Sequence, residues 1–241
     1  MRAITPAVNF AHRADNITLP QFQGICTHYR FDVNRYSDDL YIHHQVPFPS
    51  AFHSASALRK AEFIAGRIAA EQAFIGLGLE PQTVPIGNLR EPLWPNSVLG
   101  SISHHNGHAY CLMMPRPANL HSPVSLGIDI ESLIGNDDVD TMGLNIMSSS
   151  EISLTSAYFE RPEFALTLIF SAKESLFKAL YPAVGRYFDF LDIRLSSINL
   201  DDNSVAFTLR NDLSMHLLRG YTVTVHWQQF ANAVVTWVYP E

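Results

Sequence analysis

The chain has 241 residues, 47% hydrophobic and 16% charged, which is enough to bury a core as one large domain or two small ones and excludes a disordered segment. Its net charge of -7 argues against a general nucleic-acid binder, and its two cysteines, Cys26 and Cys111, lack the close spacing of a thiolate zinc site. No apolar run approaches the roughly 20 residues that cross a bilayer, and residues 1–16 lack the apolar core of a secretory signal, so a soluble cytoplasmic protein is the expectation.

Residues 54–78 predict a helix. Leu58, Ala61, Ala65, Ile68, Gln72 and Ile75 recur at helical spacing, Ser54 or Ser56 can cap the start, and Gly76 and Gly78 end it. Lys60 and Arg67 fall about two turns apart on the opposite stripe, with Arg59 adjacent. Taken alone, that stripe reads as a solvated basic face. Residues 85–97, rich in proline and asparagine, predict a loop. A strand from Leu99 to Ser103, a polar turn at His104–Gly107 and a strand from His108 to Met114 form a hairpin signal. Three prolines in residues 115–123 mark a linker, which divides the chain into residues 1–122 and 123–241.

Beyond the linker, Val124 to Glu131 alternates: Val124, Leu126, Ile128 and Ile130 face one way, and Ser125, Gly127, Asp129 and Glu131 the other. Ser148 and Glu151 have the spacing of a capping box, and Arg161-Pro162 opens a stronger helix over 163–181 that should stop before Pro182. The last third predicts strands at 193–200, 205–209, 221–227 and 233–239. The fold class is therefore α+β, in two similar halves that each set a helix on an antiparallel sheet. Charge is split between them. Residues 1–125 hold nine Lys/Arg against eight Asp/Glu, and residues 126–241 hold seven against fifteen, so anions suit the first half and cations the second.

Asp129 and Glu131 share one strand face about 6.5–7 Å apart at Cα, a spacing at which two carboxylates repel unless a cation joins them. An exposed acidic strand edge has the same pattern. Phe170, Glu174 and Lys178 recur every four residues along the predicted helix, with Lys173 one position off. An ordinary surface ion pair would look the same, but Phe170 and Phe177 can shelter it. His104, His105 and His108 sit on a tight turn and suit a zinc site poorly.

The segments GIDIE (127–131) and FSAKESLFK (170–178) together resemble the paired signatures of the 4'-phosphopantetheinyl transferases. LRKAEFIAGRIAA (58–70), REPLWP (90–95) and GSISHHNGH (100–108) resemble the branch that activates enterobactin-type siderophore synthetases. Phe170 replaces the commoner Trp, and His105 stands where that branch usually has Cys. The resemblance spans roughly residues 55–180. It implies that Asp129, Glu131 and Glu174 bind Mg2+, and that Lys178 and Lys173 hold the coenzyme A pyrophosphate. Ser103 and His104 would be further phosphate contacts. Arg59, Lys60, Arg67 and the Arg90-Glu91-Pro92 loop would grip the 3'-phosphate and adenine.

The implied reaction moves 4'-phosphopantetheine from coenzyme A to a serine of an apo peptidyl, aryl or acyl carrier protein. Adenosine 3',5'-bisphosphate leaves, Lys178 offsets charge on it, and Glu174, directly or through a water on the metal, takes the serine proton. A magnesium-dependent phosphohydrolase would use the same carboxylates but leave the 90–95 loop without a role. A non-enzymatic coenzyme A-binding protein would need neither Glu174 nor Lys178. The two halves make a monomer sufficient. The predicted helix 151–160 and the apolar residues Met142, Leu144, Ile146 and Met147 of the predicted loop before it are the expected carrier-docking surface, and no nucleic acid is expected as a partner.

Overall fold

The computed structural model describes residues 10–14, 17–230 and 232–240. It divides into two compact units, Met1–Ala118 and Asn119–Glu241, with the division inside the proline-rich segment 115–123.

In the first unit, β1 (Ala11–Arg13) and β2 (Ile25–Phe31) precede the short α1 (Asp39–His43) and the long α2 (Ala57–Gly76). The hairpin of β3 (Val98–His105) and β4 (His108–Pro115) follows. The strands form an antiparallel sheet in the order β1-β2-β4-β3. Residues His104 and His105, expected in a turn, lie in β3. The turn itself is only Asn106-Gly107, both with positive φ, the backbone that a two-residue hairpin with right-twisted strands requires.

Helix α2 is capped by Ser56, whose side chain accepts the Arg59 N–H. Ala65, Ala69 and Ala73 are fully buried and let the helix lie close on the sheet, where Thr27 Oγ1 donates to the Ala69 carbonyl at 2.7 Å. Ala109, Cys111 and Met113 of β4 complete the core beneath it. The buried arc is wider than the spacing of apolar residues suggested. Phe63, Ile64 and Arg67 are inside it, whereas Leu58 and Ile75, at the ends of the helix, are half exposed.

The second unit opens with β5 (Gly127–Ser132), followed by α3 (Asn136–Ile146), α4 (Ser149–Ser156) and α5 (Pro162–Val184). Strands β6 (Ile193–Asn199), β7 (Ser204–Leu209), β8 (Thr222–Phe230) and β9 (Ala233–Val238) complete it. All pairings are antiparallel, in the order β5-β9-β8-β7-β6. Leu168, Ile169, Ala172, Leu176, Ala179 and Leu180 of α5 are buried in a core that includes Val205, Phe207, Val225 and Val234 of the sheet. Each unit thus sets a long helix on an antiparallel sheet, the α+β arrangement expected.

Two expectations fail locally. Helix α5 passes through Pro182, which stands in its last turn, so the lost hydrogen bond and the ring's crowding of the Lys178 carbonyl fall where the helix is ending. It stops at Gly185 instead, in left-handed conformation with φ 67°, whose N–H reaches the Tyr181 carbonyl at 2.8 Å. Residues 136–146 are helix α3 and not a loop, and of the four apolar residues expected to dock a carrier there, Ile146 and Met147 are buried and only Leu144 stands out. No helix among the described residues is long and apolar enough to cross a membrane.

Candidate functional site

In the second unit the two sequence motifs meet because β5 and α5 approach each other closely. The contact is made at Gly127: a Cβ built there would lie 1.9 Å from the Ser175 carbonyl oxygen. Only a residue without a side chain lets the strand come this near. Ser125 N–H donates to the Ala179 carbonyl at 2.9 Å, fixing the strand entrance to the helix. From the helix, Ser171 and Ser175 both reach the Thr236 hydroxyl, at 2.9 and 3.0 Å. Thr236 is the β9 residue directly opposite Asp129. Backbone approach and hydroxyl chain together fix α5 beside the acidic strand.

Asp129 is buried, and the Lys178 ammonium donates to its Oδ1 at 2.8 Å and to the Ile128 carbonyl at 2.9 Å. Glu131, two residues on, lies along the same strand face as Asp129. Burial, and then the charge of Asp129, push the Glu131 carboxyl up to about 8, with Lys178 opposing and Glu174 adding to the rise. Glu174 is also raised, by burial first; Lys178 opposes this and Asp129 adds to it. The three carboxylates and the ammonium therefore form one coupled cluster, half sheltered from water.

This donor set suits magnesium. The carboxylates are hard oxygen ligands whose mutual repulsion a divalent cation would relieve, and Mg2+ is commonly held by one or two carboxylates, waters and substrate phosphates. Among the described residues no three His, Cys, Asp or Glu side chains stand as a ready-made metal cage.

Lys173 belongs elsewhere. Its side chain is fully buried, and its ammonium contacts Glu151 Oε1 at 2.9 Å and the carbonyls of Ile146 and Phe190 at 2.7 and 3.1 Å. Successive helix residues point about 100° apart, so Lys173 enters the core while Glu174 faces the acidic strand. The expectation that Lys173 holds pyrophosphate is corrected accordingly. Glu151 is held below the usual carboxylate range: burial opposes ionisation, but Lys173 and the N–H groups of Leu195 and Ser148 outweigh it.

Beside α5 a cavity of about 310 Å³ is lined by Met142, Ile146, Phe170, Tyr187, Asp189 and Phe190, among others. Phe170 is one helical turn before Glu174.

In the first unit the basic residues are arranged around α2. Arg59 Nη1 donates to His104 Nε2 at 2.8 Å and lies 3.5 Å from Glu62, whose other oxygen is 3.5 Å from His104 Nδ1. His104 Nε2 therefore accepts, leaving the Nδ1 proton toward Glu62. Burial would raise Glu62, but His104 and Arg59 hold it below the ordinary range. Lys60 is 3.7 Å from Asp38 and 5.3 Å from the centre of the Phe48 ring.

Arg67 is 9% exposed. It stacks on Phe63, 3.8 Å from the ring centre, and its Nε donates to the Val84 carbonyl at 3.0 Å. Its Nη2 has no hydrogen-bond partner among the described residues. Burial pulls its pKa down to about 10, so the guanidinium stays charged at neutral pH in a setting that favours an anion. Ser103 is buried in β3. Arg90, Glu91 and Pro92 form a tight loop in which Arg90 has φ 73° and the Glu91 carboxylate accepts the Leu89 N–H at 2.9 Å. His108 pairs with His28 at 2.7 Å, so the three neighbouring histidines do not converge.

Sequence reasoning missed Glu62, Asp38 and the role of Glu151. The spacing Arg59-x-x-Glu62 was a usable signal, and Ser148-x-x-Glu151 was read as a cap alone.

Comparison with known proteins gives a consistent result. Residues 48–114 match the 4'-phosphopantetheinyl transferase N-terminal domain, and residues 125–234 match the 4'-phosphopantetheinyl transferase superfamily. The chain is 34% identical to enterobactin synthase component D of Salmonella typhimurium over 201 residues, covering 80% of this chain and 77% of that protein. It is 33% identical to enterobactin synthase component D of Escherichia coli K12 over 192 residues, 79% and 82% of the two chains. It is also 34% identical to the 4'-phosphopantetheinyl transferase Svp of Streptomyces mobaraensis over 167 residues, 68% and 65% of the two.

Proposed function

The chain belongs to the 4'-phosphopantetheinyl transferase superfamily, and on that premise we propose that the carboxylate cluster between β5 and α5 is where it transfers. The enzyme moves 4'-phosphopantetheine from coenzyme A to a serine of an apo carrier protein. Asp129, Glu131 and Glu174 would hold Mg2+, which when bound supplies positive charge to the pyrophosphate. The observation that carries this reading is the Lys178–Asp129 contact at 2.8 Å, which draws the two motifs into one cluster.

The residues then have separate tasks. Lys178 would turn from Asp129 toward the bridging phosphate and offset charge on departing adenosine 3',5'-bisphosphate. Glu174, raised by burial, takes the proton of the carrier serine, directly or through a water, as the serine oxygen attacks phosphorus. The half-buried setting strengthens these electrostatic effects and limits entry of water, which would otherwise compete as acceptor.

Coenzyme A would be held by the first unit. Arg67, with an unfilled guanidinium nitrogen, suits the 3'-phosphate. Arg59 and Ser103 provide further donors, His104 would join them by turning to a phosphate the proton it now holds toward Glu62, and Lys60 is able to exchange Asp38 for phosphate. The loop Arg90-Glu91-Pro92 is assigned to the adenine end. Lys173 has no part in this set. Because its relatives include enterobactin synthase component D, we assign the carrier to a siderophore peptide synthetase, reached through exposed Leu144. A cytoplasmic monomer, beside the synthetase it serves, is sufficient for this chemistry.

The test is release of adenosine 3',5'-bisphosphate from coenzyme A with and without an apo peptidyl carrier protein. Release that requires the carrier supports the proposal. Equal release without it would point to the hydrolase chemistry that the same carboxylates could perform.

A further inference from the structure

Lys173 and Glu151 take no part in the transfer chemistry, yet they are built into the centre of the second unit. Their side chains are 0% and 1% exposed and meet at 2.9 Å. The ammonium spends its remaining protons on the carbonyls of Ile146, the last residue of α3, and Phe190, in the short helical turn Phe190–Asp192. Glu151 is equally occupied. Its Oε1 also accepts the Leu195 N–H of β6 at 2.9 Å, and its Oε2 accepts the N–H and hydroxyl of Ser148 at 2.7 and 2.8 Å. One ion pair thus ties α3, α4, the turn at 190–192 and β6 to α5, at the residue immediately before Glu174.

A buried pair of this kind contributes little net stability, because desolvation offsets the attraction, and well-packed neutral residues often do as well. What it does fix is geometry. Ile146 and Phe190 line the cavity beside α5, and Phe170 of α5 packs edge-on against Phe190 at 5.9 Å between ring centres. The walls on this side of α5 are held by the Lys173 ammonium through their main chain.

We infer that Lys173 is a positioning residue: with Glu151 it fixes the α3 end and the 190–192 turn against the helical turn bearing Glu174, and it does not touch the phosphates of coenzyme A. The inference rests on the assignment of Glu174 to the transfer site. It separates two adjacent lysines of one helix into different roles, Lys178 electrostatic and Lys173 architectural.

The test compares the wild-type chain, Lys173→Met and the double variant Lys173→Met/Glu151→Gln at a temperature where each is folded. Turnover by wild type and its loss in Glu174→Ala test the site assignment separately. For Lys173→Met, kcat per folded molecule should fall about tenfold or more while the Kd for coenzyme A stays within about twofold, since small misplacements of reacting groups cost rate. Neutralising Glu151 in the double variant should recover part of kcat, because it removes the carboxylate left buried without its partner. A phosphate ligand could not be restored that way. Coenzyme A binding weakened about tenfold in both variants, the loss of a charge-assisted contact, would overturn the inference. So would unchanged kcat per folded molecule in Lys173→Met, the mark of a purely structural pair. If Lys173→Met does not fold, the double variant decides through its coenzyme A affinity alone.

Discussion

Gly127 offers the sharpest perturbation of the site, because it contains no catalytic atom and yet sets the distance between the two motifs. In Gly127→Ala the new Cβ would stand 1.9 Å from the Ser175 oxygen, 2.8 Å from the Ser175 carbonyl carbon and 3.1 Å from the Ala179 Cβ. Two of these three neighbours are main-chain atoms of α5, which cannot swing aside as a side chain could. Real Cβ contacts essentially never fall under 3.0 Å, so strand and helix must separate by at least about 1.1 Å at this point.

That displacement falls between Asp129 on the strand and Lys178 on the helix, now 2.8 Å apart. Overpacking of a tight core costs roughly 1–3 kcal/mol. A misplacement of 1 Å near reacting groups costs on the order of 10²-fold in rate. We therefore expect Gly127→Ala to melt lower and to turn over about 100-fold more slowly, with coenzyme A still bound. The control is Gly143→Ala in α3, where a Cβ meets nothing within 4 Å and should leave turnover unchanged. Calorimetry and the rate of adenosine 3',5'-bisphosphate release would measure both variants. Turnover of Gly127→Ala within about twofold of wild type would refute the claim that the β5–α5 approach positions the chemistry.

The remaining predictions concern charge and surface. Without added metal, stability should fall as pH rises from about 5 toward 8. Glu131 has a folded pKa of about 8, above the ordinary carboxylate value, so the folded state holds a proton the unfolded chain has lost. Mg2+ should reverse that decline by favouring the ionised carboxylates, and a melting temperature independent of both pH and Mg2+ would contradict the coupling. Arg67→Met should weaken coenzyme A about tenfold or more and leave its 3'-dephospho form nearly unaffected, measured by calorimetric titration. Equal loss for both ligands would remove Arg67 from the 3'-phosphate. Leu144→Asp, at a side chain 67% exposed, should raise the carrier KM without changing the melting temperature. Ile146→Asp, at 4% exposure, should instead unfold the second unit.

Much of this architecture can be read from local pattern. The alternation through 124–131 identified β5 and the face bearing Asp129 and Glu131, and Arg161-Pro162 identified the start of α5. What pattern cannot supply is the environment of a single charged residue. Lys173 and Lys178 are five positions apart, but only their rotation about the helix axis, set by what packs there, separates a core ammonium from one on the acidic strand. The burial of Arg67 was hidden for a related reason. Its charge suggested solvent, whereas a guanidinium can stack on Phe63 and bond a main-chain carbonyl while almost fully buried. Strands β1 and β2 were missed because β1 is three residues long and β2 mixes histidine, arginine and tyrosine without clean alternation. Gly127, by contrast, was visible as a letter of the motif, but its meaning appears only when α5 is seen to pass over it.

The most direct test of the account is mass spectrometry of an apo peptidyl carrier protein incubated with the chain, coenzyme A and Mg2+. The account predicts that the carrier gains one phosphopantetheinyl group with wild type, and gains none with Glu174→Ala or after EDTA. A full gain with Glu174→Ala would contradict it, because the carboxylate cluster between β5 and α5 would then not be where the transfer is done.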